Sequence, residues 1–279
     1  MQEGVDVETI VVLNNCTDDS PSVARDHLHM VDVLEAPASV SNGNMARNLG
    51  LAEATGNWVQ FLDADDYLEP NKIASNLRLV QDGTDAVYSP VIEESGSERH
   101  VTEYFADEDD PLRWIRWKLC QTGGLLWRRE ALDKIGGWDE SMPHCQDNEL
   151  CGRALRSGLE FAFDLNPGAV YRIHGEDTVS RKDPNAVSRT KTRLQVEMLE
   201  WLEKSGTATD THRMAVGQAL LENIRMIART DIDAADALRR EYSDRVEPVL
   251  AGPAAPKAYR LAYRTLGFRA AEQLARKRR

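Results

Sequence analysis

One stretch constrains this chain more than any other: Trp58-Val59-Gln60-Phe61-Leu62-Asp63-Ala64-Asp65-Asp66-Tyr67-Leu68-Glu69-Pro70. Residues 58–62 form an apolar run, too short for a helix and rich in strand formers, which predicts a buried β-strand. Pro70 stands where a following helix would begin. Three carboxylates therefore fall at the strand's carboxyl end, where open α/β sheets bind ligands. On an extended backbone Asp63 and Asp65 would point to the same side. Like charges that close repel unless a cation lies between them. Oxygen donors of this charge suit Mg²⁺ or Mn²⁺ shared with a substrate phosphate. Capping of the next helix is the plainer account of the same cluster. A calcium loop would need Gly at its sixth position and Glu at its twelfth; Leu68 and Ala74 stand there and exclude it.

A chain of 279 residues can bury one good core, or one domain with an accessory segment. Its net charge of −12 argues against nucleic acid as a partner. Cys16, Cys120, Cys145 and Cys151 show no Cys-x-x-Cys spacing and read as reduced thiols of a cytoplasmic protein. Zinc near Cys145 and Cys151 would want two more soft ligands. No leader pattern and no run of about 18 apolar residues occurs. The charge is uneven: residues 257–279 carry eight Lys or Arg against one Glu.

Taken in order, residues 9–13 predict a second buried strand, followed by a polar loop and a helix opening at Ser20-Pro21. A strand near 30–34, a helix over 41–54, the Asp63 strand, a helix over 70–80 and a strand over 86–92 containing Pro90 come next. Residues 93–100 read as a polar loop. The acidic block 107–110 complements the dipole of a helix over 112–119. Gly123-Gly124 open a strand, which suggests close approach of a ligand or another strand. Helices over 129–135 and 146–156 and strands over 161–163 and 169–173 complete an α/β pattern with a mixed, mostly parallel sheet flanked by helices. From about residue 184 three helices predict a helical C-terminal extension over 184–251. A basic helix over 252–279 follows. On that helix Tyr259, Tyr263, Leu266, Ala270 and Leu274 recur as a partial apolar face. It would either touch an anionic membrane or lie solvated against the acidic body.

Six pieces, in order over residues 8–180, resemble the family 2 glycosyltransferases, which have the Rossmann-like GT-A fold. They are Ile10-Val11-Val12-Leu13-Asn14-Asn15-Cys16-Thr17-Asp18, residues 44–52 around Arg47, residues 56–66, the Gly123-Gly124 strand, Gln146-Asp147-Asn148-Glu149-Leu150 and Tyr171-Arg172-Ile173-His174. The resemblance implies a GT-A domain over residues 1–183 and an inverting, metal-dependent transferase. It would move a sugar from a nucleotide-diphosphate sugar donor to a glycan or lipid-linked acceptor, as in polysaccharide biosynthesis. Asp147 matches the catalytic base. Asn14, Arg47, Asp63 and Gly124 match donor contacts, and Asp65, Asp66 and His174 match positions around Mn²⁺ or Mg²⁺ in the DXD motif. A protein of this kind would work in the cytoplasm or at the inner face of the cell membrane. The resemblance also implies that the usual first strand and helix are missing ahead of residue 8. A degenerate, non-catalytic module acting as a partner or scaffold is the alternative. A sugar-nucleotide pyrophosphorylase would want a Gly-rich, basic loop after the first strand, and none is present.

Overall fold

The computed structural model describes residues 2–36, 42–103, 107–119, 121–173 and 183–277. The chain divides into two compact units, Met1–Asp110 with Lys118–His174, and Pro111–Trp117 with Gly175–Arg279. In the first unit β1 (Ile10–Leu13), α1 (Ser20–Asp26), β2 (Asp32–Glu35), α2 (Gly43–Glu53) and β3 (Trp58–Gln60) follow one another. β1 and β2 pair in parallel. Asn42 caps α2, its side chain accepting the Asn44 N–H at 2.9 Å.

The core of this unit is built on β8 (Leu125–Arg128), which lies between β3 and β5 (Thr84–Tyr88), antiparallel to both. Leu125, Leu126 and Trp127 are all but completely buried, as expected of a central strand. β9 (Glu160–Phe163) adds in parallel to β5. Ile73 of α3 (Lys72–Leu77) packs with Val87 and Leu126 against this sheet. A second sheet runs β4 (Tyr67–Leu68), β10 (Ala169–Arg172), β6 (Val91–Ser95), β7 (Glu98–Val101). α5 (Arg129–Ile135) ends at Gly136 in the left-handed region, and α6 (Gln146–Arg156) follows.

Four expectations change. β3 stops at Gln60, because Phe61 leaves the ladder to pack edge-on against Trp138 at 5.1 Å. The strand expected over 86–92 is two strands in different sheets. Pro90, with no N–H for a ladder, marks the break. The loop expected over 93–100 is a hairpin, turned at Gly96 (φ 60°). Its polar residues hid it, and Arg99 ties it down through Glu69 at 2.5 Å and Glu94 at 3.5 Å. The sheet is mixed, as expected, but of the seven strand pairs among the described residues four are antiparallel and three parallel.

In the second unit α7 (Pro184–Ser205), α8 (Asp210–Ile227) and α9 (Ile232–Glu241) match the three expected helices. Asp183, Thr209 and Asp231 cap them. α4 (Asp110–Ile115) is shorter than expected and is followed by Trp117 at φ 62°. Its Ile115 carbonyl accepts Gln195 Nε2 at 2.7 Å, and Asn223 Nδ2 donates to Gln195 Oε1 at 3.1 Å. The basic helix α10 (Lys257–Arg276) is broken by Gly267 at φ 80°, ψ 174°. The apolar face read along a straight helix is therefore split. Tyr259, Phe268 and Ala271 are buried, whereas Leu261 is 66% and Leu266 59% exposed. Arg269 pairs with Asp233 at 2.7 Å and Asp236 at 2.9 Å, so α10 packs on acidic residues of its own unit. No helix among the described residues is long and apolar enough to cross a membrane.

Because Leu126 fills the centre of the first sheet, Leu126→Ala should lower stability to urea by about 2–4 kcal/mol through lost burial and a residual cavity. An unchanged midpoint would show that the site collapses around the gap.

Candidate active site

The site forms where β3 ends. Asp66 N–H donates to the Asp63 carbonyl at 3.0 Å, turning the chain at Ala64-Asp65. The extended backbone that would put Asp63 and Asp65 on one side is therefore not kept, and the three carboxylates have different surroundings. Asp63 pairs with Arg47 Nη2 at 2.6 Å. Asp65 is exposed, and its backbone carbonyl accepts Arg172 Nε. Asp66 Oδ1 accepts the Arg172 N–H at 2.8 Å. Burial pushes the Asp66 carboxyl up to about 6, with the charges of Asp65 and Asp63 adding and the Arg172 N–H opposing.

Arg47 gathers the rest. It projects from α2, and its Nη1 donates to Asn44 Oδ1 and to Gln146 Oε1, both at 3.2 Å. Its guanidinium lies 4.6 Å from the Trp138 ring centre. Neighbouring residues of α2 hold the segment ahead of α6. Asn44 Nδ2 donates to the Asp139 carbonyl at 2.6 Å. Asn48 exchanges hydrogen bonds with the Trp138 backbone at 2.9 and 2.8 Å. α2 thereby sets where α6 begins.

Asp147 lies in the first turn of α6, directly after Cys145, whose φ is 56°. Its Oδ2 accepts the Thr122 hydroxyl at 3.0 Å. The residue keeps a partly exposed surface, yet its carboxyl is enclosed enough that burial raises its pKa above the carboxylate range. The charge of Asp63 adds to that rise, while Arg47 and the Thr122 hydroxyl oppose it. A carboxyl so placed is a better proton acceptor than a solvated one.

Asp63, Arg47 and Asp147 are thus brought together. Asn14 sits at the end of β1, beside Asn15 in the left-handed region. Among the described residues its buried Oδ1 has no hydrogen-bond partner, as an acceptor awaiting a donor would. Gly124 answers a protein neighbour: a Cβ there would stand 2.7 Å from the Ser89 carbonyl oxygen. His174 lies outside the described residues. Thr122, Gln146 and Trp138 complete the site and were not anticipated. The one sequence signal for Thr122 was its place before Gly123-Gly124, and for Gln146 its place beside Asp147.

The divalent cation implied at Asp65 and Asp66 fits their chemistry: hard oxygen donors, with Asp66 raised by burial and, less, by the charges of Asp65 and Asp63, which a cation would relieve. Among the described residues no three His, Cys, Asp or Glu side chains are grouped as ligands. Asp65 and Asp66 alone could supply only part of a coordination shell, the rest of which substrate phosphates can complete.

The family model for glycosyl transferase family 2 matches residues 1–136. The amylovoran biosynthesis glycosyltransferase AmsB of Erwinia amylovora is 30% identical over 151 residues, covering 47% of each chain. The chain spans about half the length of the curated relatives it matches (55% and 47%). Among solved structures, S. aureus TarS with UDP-GlcNAc superposes with a TM-score of 0.60 at 15% identity, over 99% of this chain and 85% of that one. The mannosyltransferase PcManGT of Pyrobaculum calidifontis, with GDP-Man and Mn²⁺, gives 0.54 at 18% identity over 99% and 79%. These two likenesses carry the fold, and the match to the glycosyl transferase family 2 model covers residues 1–136, just under half of the chain.

Proposed function

We propose that the chain is an inverting, metal-dependent glycosyltransferase, moving a sugar from a nucleoside-diphosphate donor to a hydroxyl of a glycan or lipid-linked acceptor. The observation that carries this reading is Asp147. It is a carboxyl raised by burial, held by Thr122, and electrostatically coupled to the Asp63–Arg47 pair at the end of β3. In this reading Asp147 takes the proton of the acceptor hydroxyl as its oxygen attacks the anomeric carbon. Arg47 and Asp63 face the donor, and the unpartnered Asn14 Oδ1 accepts from its base. Asp65 and Asp66, with His174, would hold Mn²⁺ or Mg²⁺, which when bound stabilises charge on the departing diphosphate. TarS bound to UDP-GlcNAc and PcManGT bound to GDP-Man and Mn²⁺ support a donor of this class.

Calorimetry with UDP, GDP, CDP and dTDP, with and without Mn²⁺, tests the donor site. One nucleotide should bind with metal and lose that binding in Asp65→Ala. Asp147→Asn should keep the nucleotide and lose about 10²–10⁴-fold in transfer rate, the usual worth of a general base. Wild-type transfer by that variant would remove Asp147 as the base. Silence from all four nucleotides with folded protein would favour a non-catalytic module.

The Asp66 site makes a separate prediction in chelator. Its pKa is raised in the folded state from 3.8 to about 6, so the carboxylate form opposes folding. That cost is absent below about pH 4, grows through the window between the two values, and is complete above it. Asp66→Asn, which can still accept the Arg172 N–H, should be more stable than wild type at pH 8 by about 1 kcal/mol after solvent screening. The advantage should vanish at pH 4. An equal difference at both values would assign the effect to packing.

Contact with a membrane carrying a lipid-linked acceptor would use the outward Leu261 and Leu266 beside Lys257 and Arg264. Flotation with anionic liposomes should recover wild type but not Leu261→Ser/Leu266→Ser. Equal recovery would rule that contact out.

A further inference from the structure

After Trp127, Lys72 is the largest fully buried side chain among the described residues of the first unit, and the mechanism above makes no use of it. It opens α3 and is 2% exposed. Its stem lies where Gly168 gives it room: a Cβ on Gly168 would stand 2.5 Å from Lys72 Cγ. Glu69 N–H donates to the Gly168 carbonyl at 2.7 Å, holding that backbone in place over the stem. Burial pulls the Lys72 pKa down to about 7, with the charge of Asp164 opposing. Asp164 is itself fixed by Ser75 at 2.6 Å and Asn76 at 3.0 Å.

Among the described residues the ammonium has one hydrogen-bond partner, Gln60 Oε1. That bond decides which way the Gln60 amide faces. The ammonium donates to the carbonyl end of the amide, and two backbone carbonyls, which only accept, fix Nε2 on the other side. Nε2 then donates to two backbone carbonyls, Phe61 at 2.7 Å and Gly123 at 3.1 Å. Phe61 begins the segment that carries Asp63, Asp65 and Asp66. Gly123 follows Thr122, whose hydroxyl holds Asp147. One partly buried amide therefore joins the donor-facing carboxylates to the support of the base.

We propose that Lys72 is a positioning residue for transfer: through Gln60 it clamps the Phe61–Asp66 segment to the Thr122 turn, fixing the spacing between the donor site and Asp147. The inference rests on the function proposed above. A clamp of this kind acts on geometry rather than on binding, and displacements of about 1 Å at a reacting centre can cost 10²-fold in rate.

The test uses the full chain with Lys72→Met, which keeps the stem and removes the donor, and Gln60→Glu, which keeps a partner for Lys72 but removes Nε2. Each should lower kcat for transfer about 10- to 100-fold, with the Kd of the nucleoside diphosphate within about threefold of wild type. The double variant should be no slower than the slower single one, as expected of two residues acting in one chain of contacts. Hydrogen exchange read by mass spectrometry should rise in both 61–66 and 121–124 while α6 and β8 stay protected. Wild-type kcat in both variants, or exchange unchanged at 121–124, would overturn the clamp. If wild type transfers no sugar, the functional reading fails, and the exchange measurement still decides whether Lys72 ties the two segments. If Lys72→Met does not fold, Gln60→Glu alone decides it by the same two criteria.

Discussion

The guanidinium of Arg47 is what the rest of the site depends on. It reaches three segments that are far apart in the chain: Asn44 on its own helix, Asp63 past the end of β3, and Gln146 at the start of α6. The side chains of Arg47 and Asp63 are partly exposed, at 20% and 39%, and a pair in that setting contributes little to stability. Its worth is geometric. A planar group with five donors can serve several acceptors at fixed angles, and the Trp138 ring beneath it fixes the plane. A lysine in its place would supply the charge and lose the arrangement.

That arrangement keeps four carboxylates from becoming equivalent. Asp63 has a cation, Asp66 a backbone N–H, Asp147 a hydroxyl, and Asp65 an exposed position. Carboxyls with different partners can take different roles. Asp147 feels Asp63 and Arg47 with opposite signs, so their effects offset each other and burial decides the direction of its shift. At Asp66 burial is again the largest cause of the rise, with the charges of Asp65 and Asp63 adding to it and the Arg172 N–H and charge opposing it. The site accepts that electrostatic cost at the place where a cation would remove it.

What the chain revealed in advance follows from which interactions are local. Strands with apolar runs, such as residues 10–13 and 125–127, and helices with their own start signals, such as α1 and α2, were legible because the pattern lies within the element. The ends were not. β3 stops early because Phe61 meets Trp138, 77 positions away, and no periodicity encodes that. Asp63, Asp65 and Asp66 stood out through their clustering, but their orientations could not, since the turn at Ala64-Asp65 replaced the extended geometry that spacing suggested. Asp147 took its expected role from the family resemblance alone. Thr122 and Gln146 join the site through bonds across 25 and 99 positions. Nothing in the sequence marked Lys72, because its burial depends on Gly168, almost a hundred residues later.

The C-terminal helix shows how one residue undoes a periodic reading. In an unbroken helix Tyr259, Tyr263, Leu266 and Ala270 would share a face. The positive-φ, non-helical backbone at Gly267 resets the phase, so Phe268 and Ala271 turn inward and Leu266 is left outside. The new inward face also carries Glu272, fully buried and paired with Arg225 at 2.8 Å, while Arg225 stacks 3.8 Å from the Tyr259 ring centre. A buried ion pair returns little net stability, but its strict geometry favours one packing over its alternatives. Arg269 is committed to Asp233 and Asp236, and Arg276 donates to the Ala228 carbonyl. Much of the basic excess of this segment is therefore directed into its own unit. Lys257 and Arg264 remain on the outer side with Leu261, so a count of charges along the helix overstates what any anionic surface would meet.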